Sequence, residues 1–277
     1  MAISAADVKA LREQTGAGMM DCKKALVDTN GDFDAAAKLL KEKGLAAVEK
    51  RAERATKEGR LFIRQTGNKI AVAELVCETD FVAKNEEFIA CGEKILDEVF
   101  AKGYTEPNKE LNDVLLDFAT RTRENMSLNK IKIFNVPDNA AVGQYIHSDK
   151  KSGAIVIITG STDDAVKEFA RDCCMHLVAF TPAYNTQKDV PEAYIKEQTE
   201  IFKSQMDQDS KMAGKPQNVK DGILQGKIKK HLAEICFTDQ MFVKDDKKTV
   251  KAKLDEVAKA ANAKLDFNTI ELFLLGK

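Results

Sequence analysis

A chain of 277 residues is long enough to bury a sizeable core and to divide into two or three domains. Its 43 Lys and Arg nearly cancel its 44 Asp and Glu, which excludes a global pull toward nucleic acid or an anionic bilayer. There is no run of about 18 apolar residues to span a membrane, and the start, MAISAADVKALREQ, lacks the basic and apolar blocks of a secretory signal. The expected location is the cytoplasm.

In chain order, Ser4-Ala5-Ala6-Asp7 reads as a capping box, with Val8 and Leu11 on one face of the helix it opens. Thr15-Gly16-Ala17-Gly18 breaks that helix, and a second runs from near Met19 through Leu26. Asn30-Gly31-Asp32 makes a turn with Asp32 as the next N-cap. Phe33, Ala36, Leu39 and Leu40 give the third helix its apolar face, and Gly44 is expected to close it. Residues 45–60, LAAVEKRAERATKEGR, are helical by propensity. They form either a solvated linker helix or a basic contact surface carrying Lys50, Arg51, Arg54, Lys57 and Arg60.

From Gly59 the apolar period shortens. RLFIRQ and KIAVAELVCE read as strands joined at Thr66-Gly67-Asn68. Phe88, Gly92, Ile95, Leu96 and Val99 mark one amphipathic helix; Leu111, Val114, Leu115 and Phe118 mark another; KIKIF, residues 130–134, is a strand. The order then recurs: GQYIHS, a turn over residues 149–153, the strand AIVIITGS, and a helix with Val166, Phe169, Ala170, Cys173 and Leu177 on one face. Tyr194, Ile201, Leu224, Ile228, Leu232 and Ile235 sit at helical spacings on either side of the loop AGKPQN, residues 213–218. That predicts an antiparallel helical hairpin with a thin apolar stripe, projecting from the body. A helix over residues 249–264 and the strand DFNTIELFLLG follow. The expected class is α+β with antiparallel sheets. A three-helix module with its linker helix occupies residues 1–54. One core subdomain spans 55–140, and a related one spans 141–277 with the hairpin at about 189–235.

Little here suggests catalysis. Cys22, Cys77, Cys91, Cys173, Cys174 and Cys236 form no C-x-x-C pair and read as reduced, buried hydrophobes. With only His147, His176 and His231, a zinc site is not expected, and His176 reads as a partly buried structural histidine. Phosphate-loop, Gly-x-Ser-x-Gly and His-Glu-x-x-His patterns do not occur. The expectation is no catalytic residue, no metal and no cofactor. Two segments point instead to a binding role. Met19 and Met20, at the mouth of Gly16-Ala17-Gly18, are either both core or a partner surface. In Thr79-Asp80-Phe81-Val82, Phe81 either folds back over the sheet or stands out as an anchor.

TGAGMMDCKKAL (15–26) and ETDFVAKNEEF (78–88) resemble the two signature segments of the bacterial elongation factor Ts family, and the resemblance extends over nearly the whole chain. It implies an exchange factor for the GTPase elongation factor Tu, with a ubiquitin-associated-like N-terminal module, two core subdomains and an inserted coiled-coil hairpin. Arg12, Met19 and Met20 would touch the nucleotide-binding domain of the GTPase. Asp80 and Phe81, within Thr79 to Val82, would push in near its Mg²⁺ site; His147 and Val243 would meet another domain. No membrane and no direct nucleic-acid partner are expected. Three departures are visible: Arg123 stands where the family often has Gly before Glu124-Asn125, Lys244 stands where Met often follows the Phe-Val pair, and the last strand reads IELFLLGK. A different reading is an RNA- or ribosome-binding protein using residues 41–60 and the hairpin.

Overall fold

The computed structural model describes residues 3–212 and 214–277. Two compact units divide the chain. The first comprises the chain up to Asn135 together with Ser148–Lys151 and Leu274–Lys277; the second comprises Val136–His147 and Ser152–Phe273.

The first unit opens with three helices. Helix α1 (Ala5–Thr15) starts at the predicted capping box: Ser4 Oγ accepts the Asp7 N–H at 3.1 Å and the Asp7 carboxylate accepts the Ser4 N–H at 2.9 Å. Gly16 ends the helix in the left-handed region, φ 67°. Helices α2 (Met19–Asp28) and α3 (Phe33–Arg51) follow, the latter capped by Asp32 accepting the Ala35 N–H at 3.0 Å. Val8, Leu11, Cys22, Ala25, Leu26 and Ala36 form their shared core. Gly44 does not close α3, which runs through it to Arg51. A Cβ at Gly44 would lie 3.0 Å from Thr120 Cγ2 of helix α6 (Lys109–Thr122), so the glycine serves a close helix crossing and not a stop. The helix expected over residues 45–60 therefore ends at Arg51. Arg51 is buried, its Nη2 donating to the Ala119 carbonyl at 3.2 Å.

Strands β1 (Glu58–Thr66), β2 (Lys69–Cys77) and β3 (Met126–Asn135) form an antiparallel sheet with β2 in the middle. Thr66 pairs with Lys69, leaving Gly67-Asn68 as a two-residue loop; Gly67 takes the positive φ, 59°, that such a loop requires. The helical turn α4 (Asp80–Ala83), helix α5 (Glu86–Lys102) and α6 cover the sheet. All five apolar-face positions expected in α5 are buried, Gly92 among them because the Phe62 ring occupies the place of a Cβ, 2.2 Å away.

The second unit repeats the order. Strands β4 (Ala140–Ile146) and β5 (Ser152–Thr159) pair antiparallel, and β8 (Asp266–Leu274) lies beside β5. In both sheets the second strand of a hairpin is flanked by a strand that returns after the helices. Helices α7 (Asp164–Phe180) and α10 (Val250–Ala260) contribute to the core, with Val156, Phe169, Cys173, Phe237 and Leu254. The helix expected over 249–264 ends at Ala260, and Asn262 takes φ 47°, a left-handed residue that helical hydrogen bonding does not continue through. Helices α8 (Glu192–Gln208) and α9 (Gln217–Ile235) pack on each other. Ala213, part of the loop expected between them, lies outside the described residues. Met206 and Leu232 are their buried residues, which fits the thin apolar stripe. A two-stranded ribbon, β6 (Met241–Phe242) and β7 (Asp245–Thr249), was not expected: DDKKT carries no apolar alternation. No helix among the described residues is long and apolar enough to cross a membrane.

Candidate functional site

Strand β2 stops at Cys77, and Thr79 then caps a single helical turn, its Oγ1 accepting the Val82 N–H at 3.4 Å. One turn of helix sends successive side chains about 100° apart. Val82 and Ala83 consequently enter the sheet–helix core, while Phe81 is 82% exposed. Phe81 does not fold back over the sheet. Val82, expected among the contact residues, holds the turn from inside. Asp80 is ion-paired with Lys84 at 2.6 Å one turn later; that bond holds its carboxyl below the usual carboxylate range.

The turn is fastened from a distant segment. Glu124 Oε2 accepts the N–H groups of Glu78 (3.2 Å) and Thr79 (3.0 Å), and Oε1 accepts the Thr79 hydroxyl at 2.6 Å. The Asn125 N–H donates to Glu78 Oε1 at 2.6 Å, and Asn125 Nδ2 donates to the carbonyls of Ala52 and Arg54. Arg123 reaches the other way, its Nη2 2.6 Å from Asp21 Oδ2 in the first turn of α2. Residues 123–125 thus touch both the Thr79 turn and the helix that bears Met19 and Met20. Sequence reasoning noted the Glu-Asn pair but assigned it no role, because its partners lie 45 and 47 residues away.

Met19 and Met20 are both exposed, at 46% and 74%, so neither belongs to the three-helix core. They begin α2 immediately after Gly18, and Arg12 is exposed in the last turn of α1. In the second unit, His147 follows β4 and is exposed, with Nδ1 3.0 Å from the Tyr145 hydroxyl. Val243 is exposed in the β6–β7 turn, and Lys244 beside it pairs with Asp172 at 2.7 Å.

His176, expected to be partly buried, is fully buried in α7 and supports that turn. Its Nδ1 accepts the Val243 N–H at 3.2 Å, which requires an unprotonated Nδ1; Nε2–H then donates to Gln240 Oε1 at 2.9 Å. Burial pushes the ring's pKa below the ordinary histidine value, against the Gln240 bond that favours the cation. The fold prefers neutral His176, so the unfolded chain takes the proton first. This stabilisation is whole above roughly pH 6.5 and is lost as pH falls from there through the depressed folded value. Thermal unfolding of the second unit at roughly pH 7.5 and pH 5 should therefore show a loss on acidification, reduced in His176→Asn, whose side chain has no such titration.

The six thiols are free. Burial pushes Cys77 up to about 12 and Cys236 up to about 11, and raises Cys173 and Cys174 as well. These thiols stay protonated at neutral pH, and only the thiolate is a competent nucleophile. Among the described residues, no three His, Cys, Asp or Glu side chains converge on a metal position.

Comparison with known proteins identifies the family. A family model described as Elongation factor TS matches residues 78–274. Elongation factor Ts of Treponema denticola is 52% identical over 100% of this chain and 99% of its own length. That of Treponema pallidum subsp. pallidum is 46% identical over 100% and 99%, and that of Borreliella burgdorferi 40% identical over 99% of each. The chain is thus of the translation elongation factor class, with a role in protein biosynthesis. It belongs to the elongation factor Ts family. Membership implies a nucleotide-exchange factor for elongation factor Tu.

Proposed function

We propose that this chain binds elongation factor Tu·GDP and promotes GDP release by protein–protein contact, without chemistry of its own. The observation that carries this reading is Phe81, an aromatic side chain held in solvent on a hydrogen-bonded helical turn. GDP is held largely by backbone N–H groups on its phosphates and by Mg²⁺. Asp80 and Phe81, in the Thr79-to-Val82 turn, would enter near that Mg²⁺ and disturb both. A factor that binds the nucleotide-free state more tightly weakens nucleotide binding by the same coupling.

Arg12, Met19 and Met20 would add contacts on the nucleotide-binding domain, and His147 and Val243 would meet a second domain of the GTPase. We assign these roles to the three-helix module (1–54), the first core subdomain (55–140) and the second (141–277), acting in the cytoplasm. The RNA-binding reading loses support, because Arg51 is buried against Ala119 and Arg54 pairs with Glu78. Release of labelled GDP from elongation factor Tu should accelerate when this protein is added; an unchanged rate would refute the proposal.

A further inference from the structure

We propose that Glu124 is a positioning residue for Phe81: its carboxylate locks the Thr79–Val82 turn in the orientation from which Phe81 engages its partner. The inference rests on the exchange function proposed above. The geometry is specific. One carboxylate takes three hydrogen bonds from two consecutive residues, and the same Thr79 hydroxyl that donates to it accepts the Val82 N–H that closes the turn. Phe81 sits between those two fixed points. Within the turn, the Asp80 carboxylate is engaged with Lys84. An exposed apolar side chain this large gains nothing from its own fold. Its orientation must therefore be imposed by the backbone beneath it, which Val82 anchors in the core and Glu124 holds at Glu78 and Thr79.

The carboxylate's role is geometric, so its charge is dispensable. In Glu124→Gln the amide oxygen still accepts both backbone N–H groups, and the NH₂ donates to the Thr79 oxygen, which keeps its bond from Val82. Glu124→Ala removes all three bonds.

The test is a double-mutant cycle on release of labelled GDP from elongation factor Tu, with melting temperature and amide exchange at Glu78 and Thr79 measured alongside. Glu124→Ala should lower the acceleration by roughly ten- to a hundredfold, the scale of a displaced functional group. It should also expose the two amides to exchange. Glu124→Gln should restore most of the activity. In a Phe81→Ala background, adding Glu124→Ala should change the rate by less than about twofold, since the two act through one group. Should Glu124→Ala fail to fold, Thr79→Val, which removes both the hydroxyl bond to Glu124 and the cap on the Val82 N–H while leaving the two backbone bonds to Glu124, should lower the rate, with Thr79→Ser, which keeps the hydroxyl, retaining it.

Multiplying effects of Phe81→Ala and Glu124→Ala would overturn the inference, as would a Gln variant as poor as the Ala variant, or protected amides in Glu124→Ala. A wild-type chain without effect on GDP release overturns the exchange function and this inference together. An active wild type with an equally active Glu124→Ala overturns this inference alone.

Discussion

Phe81→Ala is expected to reduce the acceleration of GDP release by roughly a hundredfold. Burying a Phe side chain stabilises a complex by about 2–3 kcal/mol, and each decade in an equilibrium or rate takes about 1.4 kcal/mol. Because Phe81 is 82% exposed in the chain itself, nearly its whole surface is available for a partner to cover. For the same reason the substitution should leave the chain's own stability within about 0.5 kcal/mol. The predicted signature is a large loss of function with an unmoved melting temperature, read by labelled-GDP release and thermal unfolding on one preparation. A hundredfold is modest for an exchange factor, so the Met19–Met20 helix and the second unit are expected to supply the remainder. If Phe81→Ala exchanges nucleotide as fast as the wild type, the wedge mechanism is wrong and those other contacts carry the coupling.

The second large effect concerns stability. A Cβ at Gly143 would lie 2.2 Å from the carbonyl carbon of Ala170 and 2.4 Å from the Arg171 nitrogen. Carbon atoms in contact sit about 3.5–4.0 Å apart, so Gly143→Ala must push α7 off β4 by more than an ångström. The obstacle is helix backbone, which cannot swing aside as a side-chain tip can. Retreat would loosen Val166, Phe169, Ala170, Cys173 and Leu177, the face that seals this unit's core. Overpacking generally costs 1–3 kcal/mol, and this case should reach about 3 kcal/mol or more. Gly226→Ala is the matched control. It lies within α9 with nothing inside 4 Å of the added carbon, and should stabilise by about 0.5–1 kcal/mol through helix propensity. Denaturant titration, with amide exchange in β4 and β5, measures both; a Gly143→Ala chain as stable as the wild type would contradict this packing.

The features legible in the sequence are those governed by neighbours a few residues apart. The face of α5, the Ser4–Asp7 capping box and the Gly67-Asn68 loop follow from periodicity and turn chemistry within a dozen residues. The chemistry of an exposed methionine pair could be suspected but not decided, since burial depends on where α1 and α3 pack. Gly44 carried a valid stop signal that was overridden, because the close approach of Thr120 on α6 needs a glycine more than α3 needs an end. His176 was legible as a structural histidine, but the partners of Glu124 and His176 were not: they are 45, 64 and 67 residues away, and only folding brings them into reach. For the Thr79 turn, the sequence left Phe81 open between two readings, and the roughly 100° step between successive residues of α4 then sent Phe81 to solvent and Val82 to the core.

The assignment of Leu274–Lys277 to the first unit bears on how the chain is made. Leu275 N–H donates to the Lys151 carbonyl at 2.8 Å, and Gly276 N–H donates to Glu74, a nearly fully buried carboxylate in β2 that Asn129 also bonds. A buried polar group missing a donor is costly. During synthesis Glu74 has Asn129 but waits for its second donor 202 residues downstream, roughly 10–40 s at ordinary ribosome speeds. The unit translated first therefore takes its last described contacts from residues made about 200 positions later, long after its own three strands have been synthesised.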